Sequence, residues 1–279
     1  LFYFHFSKIQ NSLTTKNYLC KMRLILYPFS LIISFITGIR NLFFDLGILS
    51  SKSYNIPIIC VGNLSIGGSG KTPLINYITH LLKKQYTIAI ISRGYGRRTN
   101  YFKYVKETDS AIEVGDEPLL LKNNNPEVIV AVERNRNKGI MKVMQDFPKI
   151  DVILLDDGFQ HRKTKAGMNI ILTPYNTPFF KDYIFPMGRL RESICSKKRA
   201  DIFVISKCPD EITENDKKYI ISNIKPTSHQ DIFFSNIKYC DIKNLENTTF
   251  KFETKEYNAL LVTGISNPSL IIEKIKKQY

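Results

Sequence analysis

A short glycine-rich stretch constrains this chain more than any other feature of its sequence. Residues 67–72 read GGSGKT and stand between an apolar run, Ile58 to Val61, and a helical pattern that starts at Pro73. A strand, a glycine-rich loop and a helix in this order are typical of a phosphate-binding loop, because the glycines let backbone N–H groups turn toward phosphate oxygens at the helix amino terminus. We therefore predict that six residues bind nucleotide phosphates: Gly67, Gly68, Ser69, Gly70, Lys71 and Thr72.

Two side chains of this loop have predicted roles of their own. Lys71 is expected to contact the β- and γ-phosphates, and the Thr72 hydroxyl is expected to bind Mg²⁺. The pattern G-x-x-x-x-G-K-[ST] is not complete, since Ser65 stands where its first glycine belongs. The sequence predicts a nucleotide site, with a simple glycine-rich turn as the alternative.

A later apolar strand ends in two carboxylates. Residues 152–155 are aliphatic and are followed by Asp156, Asp157 and Gly158. In phosphate-loop folds, an acidic residue at this point holds Mg²⁺ directly or through water. Adjacent carboxylates repel each other, so a bound cation would explain the pair. We predict that Asp157, with Asp156 beside it, holds or orients the metal; a plain Asp-Asp-Gly turn is the alternative.

The nucleotide is expected to be ATP. A GTPase would carry Asp three residues before Gly158, where this chain has Leu155. It would also carry Asn/Thr-Lys-x-Asp at a later strand end, and here Pro209 stands two residues after Lys207. Guanine specificity is therefore not supported.

The order of predicted elements favours an α/β fold with a mainly parallel sheet and flanking helices, as in P-loop NTPases. Beyond Ile58 to Val61, strands are predicted at Ile88 to Ile91, Val128 to Val132, Val152 to Leu155, Ile170 to Leu172, Ile202 to Ile205, Ile232 to Ile237 and Ala259 to Val262. Helices are predicted at Pro73 to Lys84, Asn135 to Asp146, Thr213 to Ile224 and from Pro268 onward. We expect an extension at 1–21, an N-terminal membrane-interface helix at 22–50, a P-loop core at 51–185 and a smaller C-terminal α/β unit at 186–279.

The amino-terminal hydrophobic segment has two interpretations. Sixteen residues from Leu24 to Ile39 carry no charge. That run is short of the roughly 20 apolar residues that span a bilayer. It is either a buried core helix or a helix that lies in the membrane interface, with Arg23 and Arg40 at the lipid headgroups. The positive charge of the chain favours the membrane.

Charge and cysteine content limit the possible partners. Forty Lys and Arg residues against 25 Asp and Glu leave a formal charge of +15, which predicts an anionic partner such as a phosphorylated substrate, an anionic membrane or nucleic acid. A solvated lysine-rich surface is the alternative. The five cysteines include no C-x-x-C pair, and neither they nor the four histidines have zinc-ligand spacing, so a disulfide framework and a structural zinc site are not expected.

Six motifs together resemble the tetraacyldisaccharide 4′-kinases, which are the lipid A 4′-kinases of Gram-negative bacteria. They follow the family's order from about Met22 onward, and the DDGFQH and SRGYG motifs are the specific ones. The matching stretches are VGNLSIGGSGKTP at 61–73, SRGYG at 92–96, VGDEP at 114–118, DDGFQH at 156–161, PMGRLRE at 186–192 and TGISNP at 263–268.

The resemblance implies that the γ-phosphate of ATP passes, with Mg²⁺, to the 4′-hydroxyl of a tetraacylated glucosamine disaccharide 1-phosphate. It implies peripheral binding to the cytoplasmic face of the bacterial inner membrane, without nucleic acid as a partner. The implied catalytic residues are Lys71, Asp116, Asp156, Asp157 and Glu192, with Asp116 as the base and Thr72, Asp157 and Glu192 at the metal. The implied substrate-binding residues are Arg93, Arg134, Arg189 and Arg191, with Arg136 an equal alternative to Arg134.

Two of these carboxylates could instead have purely structural roles. Asp116 could cap a helix that begins at Glu117, and Glu192 could pair with Arg189 or Arg191 on the surface. The family also has a histidine beyond the TGISNP segment, and this chain ends at Tyr279 without one. We expect the natural carboxyl terminus to extend further.

Two other functions agree with parts of the sequence. An ATP-dependent basic module that binds nucleic acid would explain the charge of +15, but no helix-turn-helix, zinc knuckle or aromatic RNA-binding strand is visible. A soluble kinase of a small metabolite would require the Leu24 to Ile39 run to be buried. The sequence leaves the oligomeric state open.

Overall fold

The structure, a computed structural model, describes residues 13–238, 260–263 and 268–278. The TGISNP motif therefore lies mostly outside the described residues, as do positions 1–12. The strands are β1 (Ile58–Asn63), β2 (Ile88–Ser92), β3 (Lys103–Tyr104), β4 (Ile129–Val132), β5 (Val152–Asp156), β6 (Met168–Pro174), β7 (Ile202–Cys208) and β8 (Asp231–Asn236). The helices are α1 (Leu13–Asp45), α2 (Lys71–Leu82), α3 (Ala111–Val114), α4 (Asp116–Asn124), α5 (Arg136–Asp146), α6 (Glu214–Ile224) and α7 (Ser269–Gln278), with 3₁₀ turns at Phe179–Lys181 and Ile194–Arg199.

All eight strands belong to one sheet, in the order β3-β4-β2-β5-β1-β6-β7-β8. Every neighbouring pair is parallel except β3 with β4. The central strands are aliphatic on both faces because helices cover both sides, which is the usual situation in a parallel sheet. The predicted α/β fold with a mainly parallel sheet is confirmed.

The carboxyl-terminal part of the described chain extends the same sheet. β7 pairs with β6, and β8 pairs with β7, both in parallel. The division of the chain at residue 185 stays a prediction. The strand predicted at Ala259 to Val262 is wrong where it can be checked: residues 260–263 have no strand structure, and Ala259 lies outside the described residues.

The amino-terminal helix α1 is long, and most of its residues from Ile25 onward are exposed. It has 33 residues and begins at Leu13, so it includes positions that the sequence suggested were an extension. Its stretch Ile25–Asp45 is long and apolar enough to cross a membrane by length and composition, and only 6% of it is buried. The alternative of a buried core helix is therefore wrong.

Candidate functional site

The sheet brings the two predicted motifs together. β1 and β5 are parallel neighbours, and Val61 pairs with Asp156 in their register. Both strands therefore end at the same edge of the sheet, where the GGSGKT loop follows β1 and the two carboxylates end β5. The Lys71 Nζ lies 3.6 Å from the Asp157 Oδ1. Convergence of these motifs at a sheet edge is the arrangement that binds ligands in open α/β folds.

Backbone geometry shapes the phosphate loop. Gly70 has a φ of 92°, in the left-handed region that suits glycine, and α2 begins at the next residue, Lys71. The helix thus starts two residues earlier than Pro73. The Asn63 side-chain amide donates to the Ser69 Oγ at 3.1 Å, which holds the loop against the end of β1.

Two residues that the sequence analysis missed also hold this loop. The Ser206 Oγ donates to the Ser69 carbonyl at 2.6 Å, and the Lys207 Nζ donates to the Gly68 carbonyl at 2.7 Å. Both residues lie near the end of β7, which is separated from β1 by β6. A left-handed backbone at Lys207, with a φ of 57°, was a feature that no sequence signal indicated.

The two adjacent carboxylates have different surroundings. Asp156 is 1% exposed; its Oδ2 accepts from the Ser92 Oγ at 2.8 Å, and its Oδ1 has no hydrogen-bond partner among the described residues. Burial raises the pKa of Asp156. A buried carboxylate oxygen without a partner is costly unless a proton or a cation satisfies it.

Asp157 is held in the charged form. Its carboxylate accepts from the Arg191 Nη1 at 2.8 and 3.0 Å and faces Lys71. Burial opposes ionisation, but the charges of Lys71 and Arg191 outweigh it and lower the pKa of Asp157. Asp157 also has a φ of 51°, so the chain turns sharply at this residue. The geometry presents an ionised carboxylate to the space beside Lys71.

A buried arginine holds the backbone at the end of β5, in the segment of Asp156 and Asp157 that is called the acidic loop below. Arg136 is 2% exposed, and its guanidinium donates to the Asp156 carbonyl at 2.9 Å and to the Glu133 carbonyl at 2.7 Å. Burial lowers the pKa of Arg136. Arg134, by contrast, is exposed. Of the two arginines that the resemblance left open, Arg136 is the one that contacts the loop.

Glu192 is fully buried. It therefore does not form a surface pair with Arg189 or Arg191, which was the alternative to a role at the metal. The Arg199 Nη2 lies 2.8 Å from both of its oxygens. Its remaining donors are the Asn41 Nδ2 at 2.8 Å, the Ser196 Oγ at 2.8 Å and the Gln160 Nε2 at 3.2 Å. Glu192 therefore ties α1, through Asn41, to the segment that follows Asp157. Its role at the metal stays a prediction.

The GDEP motif begins α4 beside the acidic pair. Gly115 has a φ of 94°, and a Cβ there would lie 3.1 Å from the Gly94 Cα, so the SRGYG and GDEP loops approach closely. Glu117 is exposed at its surface, but the protein around its carboxyl group partly desolvates it, and this desolvation and then the charge of Asp156 raise its pKa. No sequence signal indicated a functional role for Glu117. Asp116 is the first residue of α4 and is exposed. Its role as the base stays a prediction.

Within the described residues, neither Arg93 nor Arg189 forms an ion pair with Asp156 or Asp157. Arg93 follows β2 and is exposed. Arg189 pairs with Asp182 at 2.9 Å, on a loop that packs against α1. Arg191 is thus the predicted substrate-binding arginine that contacts the acidic pair directly.

The described residues suit Mg²⁺ better than a metal that needs an all-protein cage. No group of three His, Cys, Asp or Glu side chains in residues 13–238, 260–263 and 268–278 could hold a metal ion. Magnesium usually needs only one or two carboxylates together with substrate phosphates and water. Asp156, with its unpartnered buried Oδ1, and Asp157 meet that requirement.

A glycine in β1 allows the DDGFQH segment to pack closely against the strand that precedes the GGSGKT loop. A Cβ at Gly62 would lie 2.6 Å from the Phe159 Cβ in the DDGFQH segment. We expect Gly62→Ala to destabilise the fold by about 1–3 kcal/mol, because overpacking forces the acidic loop to move. Thermal unfolding measures this effect. Gly167→Ala is the matched control, since its Cβ would meet its nearest atom at 3.7 Å; equal melting temperatures for the two variants would contradict the prediction.

His161 is expected to make the fold less stable in acid. Burial, and then the charges of Arg136 and Arg93, lower the pKa of His161 from 6.5 to about 4. The unfolded chain binds this proton at a higher pH than the folded chain, so stability is complete above the unfolded pKa and falls as the pH drops toward the folded one. His161→Asn should reduce this loss between about pH 7 and pH 5 by on the order of 1 kcal/mol in urea unfolding. His80→Asn, at an exposed position of α2, is the control.

The sequence of this chain is similar to a known protein family. A family model described as Tetraacyldisaccharide-1-P 4′-kinase matches residues 22–279. The Tetraacyldisaccharide 4′-kinase of Flavobacterium johnsoniae is 42% identical over 258 residues, which cover 92% of this chain and 76% of that protein. The protein of the same name from Bacteroides thetaiotaomicron is 38% identical over 263 residues, which cover 90% of this chain and 69% of that protein.

A solved structure is similar as well. It is the crystal structure of the "apo" form of LpxK from Aquifex aeolicus in complex with ATP. The TM-score is 0.62 at 29% sequence identity, and the match covers 84% of this chain and 86% of that chain. Similarity in sequence and in three-dimensional structure therefore extends over most of the chain.

Proposed function

The chain belongs to the tetraacyldisaccharide 4′-kinase family, and we infer that it transfers the γ-phosphate of ATP to the 4′-hydroxyl of a tetraacylated glucosamine disaccharide 1-phosphate. This is a step of lipid A biosynthesis. The observation that carries the inference is the 3.6 Å approach of the Lys71 Nζ to the Asp157 Oδ1, at the edge where β1 and β5 end. The nucleic-acid-binding alternative is not favoured.

ATP and Mg²⁺ fit the residues at this edge. Phosphoryl transfer depends on positioning and on neutralising charge, and these are what the loop supplies. We propose that the backbone of residues 67–72 binds the phosphates, that Lys71 contacts the transferred phosphoryl group, and that Thr72 and Asp157 hold the metal. Bound Mg²⁺ would neutralise charge on the phosphates during transfer.

The remaining residues are assigned by position. We propose Asp116 as the base that accepts the proton of the 4′-hydroxyl, since α4 begins where the GDEP segment approaches the SRGYG segment, whose Ser92 donates to Asp156. Arg191 keeps Asp157 charged and oriented, and Arg136 fixes the backbone of Asp156. Glu192 supports Arg191 through Gln160, which donates to Glu192 through its Nε2 and accepts from the Arg191 Nη1 at 3.3 Å through its Oε1.

The acceptor is a lipid, and α1 supplies a surface for it. Large apolar side chains of α1 are more than half exposed, including Ile25, Phe29 and Phe35. We propose that α1 lies in the cytoplasmic face of the inner membrane as a peripheral anchor. The net charge of +15 supports binding to anionic lipid.

A transfer assay tests the proposal. The chain is mixed with ATP labelled at the γ-phosphate, Mg²⁺ and tetraacyldisaccharide 1-phosphate in mixed micelles. We expect label in a lipid that carries two phosphates, and none when the acceptor is its 4′-O-methyl ether. Label released only as inorganic phosphate would count against a lipid kinase.

A further inference from the structure

We propose that the loop at residues 183–187 is a second membrane-binding element, which enters the headgroup region of an anionic bilayer beside α1. The inference rests on the proposed function, because it takes α1 as the first contact with that bilayer. The loop lies between β6 and β7 and belongs to no helix or strand. It is named the 183–187 loop below.

The 183–187 loop exposes two aromatic side chains. Tyr183 is 53% exposed and Phe185 is 49% exposed. Large exposed apolar groups that lie close together mark interaction sites more often than ordinary surface. Tyrosine, with an apolar ring and a polar tip, is also enriched where membrane meets water.

Hydrogen bonds to one buried serine join the 183–187 loop to α1. The Ser30 Oγ donates to the Ile184 carbonyl at 2.9 Å and accepts from the Met187 N–H at 3.0 Å. Its neighbours Phe29 and Leu31 are 57% and 51% exposed. Successive residues of a helix point about 100° apart, so these two side chains flank the loop. A bilayer that contacts α1 at this level therefore meets the loop as well.

The loop is already ordered. The Phe185 N–H donates to the Leu190 carbonyl at 2.9 Å, and the Leu190 N–H donates to the Tyr183 carbonyl at 2.8 Å. The Arg189 Nε donates to the Asp182 Oδ2 at 2.9 Å at the base of the loop. A preformed loop loses little conformational entropy on binding, so this loop can bind a membrane without changing its conformation.

Charge at the base of the loop favours anionic lipid over another protein. An open cavity of about 580 Å³ there is lined by Lys181, Arg189 and Met187, among others. Its acidic lining residue, Asp182, is ion-paired with Arg189. Basic side chains beside exposed aromatic ones match a surface where anionic headgroups lie next to acyl chains.

The absence of tryptophan from the sequence allows a direct test. Three single-tryptophan variants report on three positions: Phe185→Trp in the loop, Phe29→Trp in α1, and Tyr86→Trp between α2 and β2. Tyr86 is 48% exposed and so matches Phe185. With vesicles of phosphatidylglycerol and phosphatidylcholine, we expect a blue shift and quenching by brominated lipid at positions 29 and 185, and neither at position 86.

The outcomes distinguish membrane binding by the 183–187 loop from membrane binding by α1. A response at position 29 with none at 185 overturns the loop inference and leaves membrane binding by α1 intact. No response at position 29 contradicts the membrane part of the proposed function. A blue shift at 185 that needs no vesicles and grows with protein concentration would identify a second copy of the chain as the occupant, which also overturns the inference.

A second measurement does not depend on tryptophan fluorescence. Tyr183→Ser combined with Phe185→Ser should lower the vesicle-bound fraction several-fold in flotation, while ATP binding in solution stays unchanged. Tyr77→Ser combined with Tyr86→Ser, at two exposed positions distant in sequence from the loop, is the control. Equal flotation of both double variants and the parent would overturn the inference.

Discussion

Lys71→Ala is expected to lower kcat for 4′-phosphoryl transfer by about 10²–10³-fold, which is the usual cost of removing one preorganised donor from developing charge. The Lys71 side chain is 10% exposed and lies in the first turn of α2, so its position is set by the fold before ligand binds. The loop backbone is untouched by this change. Melting temperature should therefore fall far less than activity does.

The same variant has a second, electrostatic effect. Lys71 is the leading cation that lowers the pKa of Asp157. Without it that pKa rises, so Asp157 takes up its proton at a higher pH. The acid limb of the residual pH–rate profile should move to higher pH in Lys71→Ala, which a loss of ATP affinity alone would not produce.

Two further variants complete this test. Lys71→Arg keeps the charge and should retain more activity and the parent's acid limb. Lys83→Ala, at the other end of the same helix, removes a lysine that pairs with Glu127 and should leave transfer unchanged. Full activity in Lys71→Ala would remove the basis for the kinase proposal.

The parts of the site that sequence could predict are the local ones. A strand, a turn and a helix that follow one another in the chain leave a continuous pattern, so β1, the GGSGKT loop and α2 were predicted with small shifts in their ends. The end of β5 was predictable for the same reason, since an aliphatic run stops at two carboxylates. Their proximity also follows, because parallel strands of one sheet end at the same edge.

The non-local contacts of the site could not be predicted. Lys207 reaches the Gly68 carbonyl because β6 alone separates β7 from β1, an order that the spacing of motifs does not encode. A surface pair with Arg189 or Arg191 was the alternative to a metal role for Glu192, yet Glu192 is paired with Arg199, and Asn41 reaches it from 151 residues away. Burial of a charge depends on tertiary contacts, so sequence spacing could not distinguish this pair from an exposed one.

Glu192→Gln is expected to destabilise the fold by about 3 kcal/mol, because removing one charge of a buried pair leaves the other uncompensated. Arg199 would keep its charge, with 22% of its side chain exposed, and would face a neutral amide. The Gln160 and Asn41 side chains would lose a charged acceptor as well. Urea unfolding measures the change in free energy directly.

The matched control is Glu214→Gln, the same substitution in an ion pair with Lys217 at 2.6 Å whose glutamate is 74% exposed. Solvent screens that pair, so its loss should change stability little. The dependence of transfer on Mg²⁺ then distinguishes the two roles of Glu192. If Glu192 is a positioning residue, Glu192→Gln lowers stability and kcat while half-maximal Mg²⁺ stays at the parent's value. A rise in half-maximal Mg²⁺ with little loss of stability would instead make Glu192 a metal ligand, in conflict with its buried contacts to Arg199, Ser196 and Asn41.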